Sequence, residues 1–255
     1  MKNMSNNDHY VTTTIENGVG TICFSHPKSN SLPQEVLDGL YTHINNLAEN
    51  PNAKVIVLKS EGVKAFCSGA SFDELKAITT PKEGELFFSR LSKVILAIKS
   101  APKFVIARVQ GKAVGGGAGL VAACDYSFAL ESASMKLSEL ALGLGPFLIG
   151  PALERKIGVA KFSYMAIDTD WRSAVWCKDS GLYTEIFHDI DSLDVALSTL
   201  TTRLATYNPD AMKQMKHVFW EGTEHWDTLL FNRAAISGTL VLSDFSKKMV
   251  SLVGK

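Results

Sequence analysis

Two short runs limit most strongly what this chain can fold into. Lys54 to Lys59 (KVIVLK) and Lys103 to Val109 (KFVIARV) are almost continuous apolar, β-branched residues. Runs of this kind read as strands buried on both faces, as in a parallel sheet covered by helices. Between them, Leu86 to Ile98 has apolar residues at helical spacing and ends at Ser100-Ala101-Pro102. Ahead of them, Val36, Leu37, Leu40, Ile44 and Leu47 form one apolar stripe, stopped by Asn50-Pro51. Ser31 is placed to cap that helix and Pro33 suits its first turn. A further strand is expected over Asp125 to Leu130. Strands alternating with helices predict βα units, right-handed crossovers and an α/β fold.

The ends of the chain differ from this middle. Val11 to Phe24 reads as a hairpin turning at Asn17-Gly18. After Pro151 the pattern is mostly helical: Leu193 to Tyr207, then a helix capped by Asn208 with Pro209 in its first turn, then a third from Thr223. A boundary is therefore expected near residue 190, with an α/β core over 1–190 and a helical extension over 191–255. No fixed-period repeat is visible.

Composition narrows the class further. Of 255 residues, 26 are Lys or Arg and 26 are Asp or Glu, so net charge is zero and no basic stripe points to nucleic acid. The uncharged stretch Ala113 to Cys124 is rich in glycine and about half the length a membrane span requires. Met1 to Asp8 is polar and lacks the apolar core of a secretory signal. Cys23, Cys67, Cys124 and Cys177 form no C-x-x-C pair and have no histidine at zinc-finger spacing, so they read as reduced thiols. A soluble cytoplasmic protein without a metal is expected.

The run Gly115-Gly116-Gly117-Ala118-Gly119 invites a nucleotide reading. It fails G-x-G-x-x-G, because Leu120 stands where the last glycine belongs, and no Gly-Lys-Ser/Thr makes it a P-loop. G-x-S-x-G and H-E-x-x-H are both missing. His217 and His225 could meet in space but read as ordinary surface or packing residues. Trp171, Trp176, Trp220 and Trp226 read as packing between helices or subunits.

Two loops remain. Ala65 to Leu75 (AFCSGASFDEL) and Gln110 to Gly119 (QGKAVGGGAG) each follow a buried strand and lead into a helix. Ligands bind at such strand ends in parallel α/β folds. Small residues let a ligand approach the backbone, and free N–H groups at a helix start favour negative charge. Two such loops could aim two N–H groups at one oxygen, the geometry of an oxyanion hole. Spacing alone leaves open that the glycines serve only tight turns and close packing.

These segments resemble the enoyl-CoA hydratase/isomerase (crotonase) family from about Thr14 to Gly181. Ile22 to Leu32 (ICFSHPKSNSL) resembles its strand and proline-lysine-asparagine stretch; Ala65 to Ala70 its F-x-x-G-A-D signature; Gly111 to Gly119 with Cys124-Asp125 its glycine-rich loop; Ala133 to Pro146 the segment bearing a catalytic glutamate. The resemblance implies a spiral of ββα units with a C-terminal helical part that trimerises, trimers often pairing into hexamers. It implies an acyl-CoA substrate, with no cofactor beyond the CoA of that substrate. Ala70 and Gly116 would donate the two oxyanion-hole N–H groups, and Glu139 would be the acid/base. Phe66 to Phe72, including Ser68, Ser71 and Phe72, would line the CoA path, with Lys28, Ser29 and Ser31 nearby and Gly115 beside Gly116.

The chain departs from the family pattern at two positions. Hydratases of the family carry a second glutamate three residues after the oxyanion glycine, and here that residue is Gly119. The usual aspartate after Ala70 is Ser71. Moving a double bond needs one base that takes a proton and returns it elsewhere, whereas hydration is served by two carboxylates. A lone Glu139 therefore favours isomerisation slightly, with hydration, a non-catalytic acyl-CoA scaffold and thioester hydrolysis as alternatives. Leu137, Leu140, Ala141 and Leu142 flank Glu139, and if they surround it, desolvation raises its pKa toward neutrality. Phe147 and Leu148 either shape an acyl pocket or belong to the core.

Overall fold

The computed structural model describes residues 9–253. The polar start read at residues 1–8 lies outside them.

The hairpin forms as the sequence indicates, from β1 (Tyr10–Glu16) and β2 (Val19–Ser25). Asn17 and Gly18 both take positive φ, 50° and 83°, as a two-residue hairpin turn requires. Then follow α1 (Gln34–Glu49), β3 (Val55–Ser60), β4 (Ala65–Cys67), α2 (Phe72–Ala77) and α3 (Pro81–Ser100). Next are β5 (Val105–Val109), β6 (Lys112–Val114), α4 (Gly116–Ala123), β7 (Tyr126–Leu130) and β8 (Met135–Lys136). A 3₁₀ turn at Leu140–Leu142 leads to α5 (Gly150–Asp168), which is kinked at Gly158. The chain ends with α6 (Ala174–Ser180), β9 (Glu185–Phe187), α7 (Ile190–Ala205), α8 (Pro209–Phe219), α9 (Trp226–Leu240) and α10 (Asp244–Val253).

The main sheet has the order β1-β2-β3-β5-β7-β9 and is parallel except for the β1–β2 pair. A second parallel sheet runs β4-β6-β8. Three times a strand of the main sheet passes to a short strand of the small sheet and then to helix: the ββα unit. The sequence reading took β4 and β6 as loop and assigned no element at β8, since two or three residues are too few to show a two-residue period. It took α3 and α4 as shorter than they are. Thr80 starts α3 with a capping box closed by Glu83.

One expected cap is corrected. Ser31 does not cap α1; its hydroxyl bonds His26 Nδ1 at 2.7 Å, and Pro33 occupies the cap position without a side-chain bond. The carboxylate of Glu74, on α2, accepts from the Gln34 N–H instead, at 2.9 Å. Asn208 does cap α8, accepting from the N–H groups of Asp210 and Ala211.

The helices after residue 190 are packed into the rest of the molecule. Leu193 and Leu197 of α7 cover Val55, Val57, Ile106 and Phe128 on one face of the main sheet. From α8, Lys216 is buried against Asp125 at 2.9 Å and donates to the carbonyls of Ile98 and Lys103. Trp220 Nε1 donates to the same Asp125, and the ring of Trp220 stands edge-on to Trp226. These pairings satisfy an otherwise costly buried charge. No helix among the described residues is long and apolar enough to cross a membrane, and no group of three or more His, Cys, Asp or Glu among them could hold a metal ion.

Candidate active site

The ends of the small sheet meet at a single place. β4 leads into Ser68-Gly69-Ala70, β6 into Gly115-Gly116, and β8 into Ser138-Glu139. All seven residues line one cavity, which is partly open to solvent. The parallel pairing of β4, β6 and β8 brings three loops distant in sequence to one edge.

Two loops that carry backbone donors meet here. A Cβ added to Gly69 would stand 3.5 Å from Gly116 N, so the first loop rests against the start of α4. Helix α4 begins at Gly116, and its first intrahelical bond runs from Gly119 N to Gly115 O, leaving the earlier N–H groups without an acceptor in the helix. On the other loop, Gly69 O is occupied by Leu32 N at 2.8 Å. Among the described residues no acceptor takes the Ala70 N–H.

Glu139 precedes the 3₁₀ turn, and its backbone carbonyl accepts from the N–H groups of Leu142 and Leu144. Its side chain rests on Gly115: a Cβ there would lie 2.9 Å from Glu139 Oε1. Gly115, at φ 51°, therefore leaves room for the carboxylate as well as making the turn into α4. The other oxygen, Oε2, is buried and has no hydrogen-bond partner. Burial pushes the Glu139 carboxyl up from an ordinary 4.5 to about 7, the nearby N–H groups of Glu139 and Ser138 offsetting part of the shift. The cause differs from the sequence reading in one respect. Leu140 and Ala141 are exposed, so the desolvation comes from Leu137 and Leu142 together with distant residues that line the cavity, among them Leu144, Leu148 and Ile149.

The raised pKa has a consequence for folding. The folded chain holds the Glu139 proton more tightly than the unfolded chain, so this group's contribution to stability is complete below pH 4.5 and is lost as pH rises through 7. Glu139→Gln stays neutral throughout. The variant should be more stable than the parent at pH 8.5, by at most about 3 kcal/mol, with no such advantage at pH 4.5. Urea denaturation at both values checks this; an equal difference at each pH would contradict a buried, desolvated carboxyl.

The remaining wall is hydrocarbon: Leu32, Leu75, Phe87, Phe88 and Leu91 on one side, Leu142, Leu144, Leu148 and Ile149 on the other. Among the described residues Glu139 is the only titratable side chain on it, and its side-chain hydroxyls are those of Ser68, Ser138 and Ser237. Leu148 therefore shapes the cavity, as one of the two sequence readings had it, whereas Phe147 turns its ring onto Gly145.

The other expected contacts divide. Ser68, Ala70, Phe72, Gly115 and Gly116 line the cavity. Phe66 does not; it is fully buried and stands edge-on to Phe24 at 5.6 Å, a correction to the reading that the whole run Phe66–Phe72 faces the ligand. The Ser71 side chain is also turned inward, accepting from Glu74 N to cap α2. Ser31 is buried on His26, as described above. Lys28 and Ser29 form an exposed loop tied to the rim: Lys28 pairs with Asp73, Ser68 Oγ donates to Lys28 O, and Ser68 N donates to Ser29 O. Sequence reasoning missed the contributions of α3 and α9. The cavity-facing residues of α3 belong to an ordinary amphipathic helix, α9 carries no clear apolar face, and no local signal separates a cavity wall from a core.

The cavity thus brings the loops after β4, β6 and β8, with their backbone N–H groups, to the same wall as one buried carboxyl group. The chain belongs to the enoyl-CoA hydratase/isomerase family, whose model matches residues 14–242. It superposes on enoyl-CoA hydratase from Bacillus halodurans with a TM-score of 0.88 at 22% identity, covering 95% of this chain and 99% of that one. It is 29% identical over 196 residues to the peroxisomal Delta(3,5)-Delta(2,4)-dienoyl-CoA isomerase of Arabidopsis thaliana, covering 71% of this chain and 69% of the relative. It is 31% identical over 134 residues to ethylmalonyl-CoA decarboxylase of Xenopus tropicalis, a match that spans 52% of this chain and 44% of that relative's length. The names of these three proteins cover three reactions, so the choice among them rests on the site itself.

Proposed function

We propose that the protein is an enoyl-CoA isomerase that shifts a double bond through an enolate, with Glu139 as the single proton carrier. One observation carries this reading: the cavity wall holds one carboxyl group and the place for a second is filled. A Cβ on Gly119 would lie 2.8 Å from Ile149 Cβ, so the side chain of Ile149 occupies the space into which a residue at 119 would project.

The reaction follows from these groups. The thioester oxygen of a 3-enoyl-CoA accepts from the N–H groups of Ala70 and Gly116. The Glu139 carboxylate removes a proton from the α-carbon, and the electron pair delocalises into the carbonyl oxygen and the double bond. Each donor stabilises that oxyanion by roughly 3 kcal/mol. The same carboxyl then returns the proton to the γ-carbon, giving the conjugated 2-enoyl-CoA with no net change in atoms. A pKa of about 7 suits both halves, since the group must accept and release a proton at similar cost. Taking the proton requires the carboxylate, so kcat/KM should rise with pH through an apparent pKa near 7.

Lys28 and Ser29 with the Ser68–Phe72 loop would guide the CoA portion, the Ser31 and Phe66 side chains serving only to hold those loops. The assembly read from the family resemblance, a homotrimer or dimer of trimers using 191–255, is part of the same proposal and is checked by sedimentation equilibrium.

The deciding experiment supplies 3-enoyl-CoA and 2-enoyl-CoA and identifies products by mass and absorbance. A conjugated product of unchanged mass from 3-enoyl-CoA supports the reading. Gain of one water by 2-enoyl-CoA without isomerisation overturns it in favour of hydration, and release of free CoA in favour of hydrolysis.

A further inference from the structure

The acyl chain of such a substrate must end somewhere, and the packing of α3 against α9 shows where. α3 supplies Leu91, Phe88 and Phe87 to the cavity wall. Leu91 lies at the catalytic end, since a Cβ on Gly116 would be 3.0 Å from Leu91 Cδ2. Moving back along α3 leads away from the donors to Gly84, about 10 Å distant at 1.5 Å per residue. There α9 crosses in backbone contact: a Cβ on Gly84 would lie 2.6 Å from Gly238 Cα. Ser92 Oγ reaches Leu230 O, so the two helices run antiparallel. Ser237, beside Gly238, faces the cavity from this remote level and is 1% exposed. Its hydroxyl bonds only its own helix, at Arg233 O. α9 is fixed to the catalytic side as well, because Arg233 donates to Phe147 O at 3.2 Å.

We propose that Ser237 of α9, held against the cavity by the Gly84–Gly238 crossing, sets the longest acyl chain the enzyme accepts. Its side chain is small beside the Phe87 and Phe88 rings of the facing helix, so the room at this level depends on its size. The occupant is a hydrocarbon tail, since among the described residues Glu139 is the one charged side chain on the cavity lining. This rests on the acyl-CoA reading of the site but not on which reaction follows.

The test compares parent and Ser237→Leu in two measurements: turnover of 3-hexenoyl-, 3-octenoyl- and 3-decenoyl-CoA, and calorimetric binding of the saturated hexanoyl-, octanoyl- and decanoyl-CoA. A shape clash of about one methylene group discriminates by about 10–200-fold. The variant should lose at least tenfold in kcat/KM and in affinity on the longest chain the parent accepts, while the hexanoyl series stays within threefold. Equal loss at every length, or none, overturns the proposal. Ser237→Val, a smaller insertion, should give the same ordering with a smaller drop and serves if the leucine variant does not fold. If the parent turns over no enoyl-CoA, the isomerase reading fails while the binding series still decides the role of Ser237. If the parent binds no acyl-CoA, both fail.

Discussion

Glu139→Gln should lower turnover of 3-enoyl-CoA by about 10²–10⁴-fold and leave binding of a saturated acyl-CoA within threefold of the parent. The glutamine fills nearly the same volume and keeps an oxygen and a nitrogen where the carboxylate stood, so the cavity keeps its shape. It cannot take or return a proton. No other titratable side chain lines the cavity among the described residues, so no neighbour is positioned to substitute. The residual rate should also lose the rise through an apparent pKa near 7, because the group responsible for it is gone. Near-normal turnover would place the base elsewhere. A parallel loss of binding would mean that Glu139 holds the ligand instead of reacting with it.

Gly119→Glu, which restores the acidic residue that hydratases of the family carry, should fail to produce a hydratase and should destabilise the fold. The new side chain would start against Ile149, and α4 and α5 are packed too closely there to separate. Overpacking a core costs about 1–3 kcal/mol, and an unpaired buried carboxylate costs several more, for a total of at least about 4 kcal/mol. That is a large share of the roughly 5–15 kcal/mol by which domains are stable. Urea denaturation measures the loss and crotonyl-CoA tests for hydration. Adding Ile149→Ala should recover part of the stability, since it removes the group with which the glutamate collides; the coupling between the two changes measures that contact. A stable Gly119→Glu protein that hydrates crotonyl-CoA would show that residue 149 does not exclude the second carboxylate.

The resemblance covered the residues nearest the chemistry because they occupy short local motifs. Of these, Gly115 has a conformational reason as well, since its φ of 51° favours glycine at the turn into α4. The environment of Glu139 was legible only in direction: burial raises its pKa, but half of the neighbours named from sequence point to solvent, since a 3₁₀ turn alternates its faces too quickly for adjacency to indicate contact. Phe66, Ser31 and Ser71 lie among cavity-lining residues and yet face inward, a distinction of side-chain direction that no motif records.

The sequence by itself determined that this chain builds parallel βα layers and that small-residue loops end two of the strands. Each of these depends on local periodicity or on the conformational freedom of small residues. Only the tertiary structure decided that three strands of two or three residues join those loops at one edge, that Ile149 fills the space beside Gly119, and that Ser237 of α9 reaches the cavity wall. These contacts connect residues up to about a hundred and fifty positions apart through close packing, whose fit depends on the volume and direction of every side chain involved and leaves no trace at any one position.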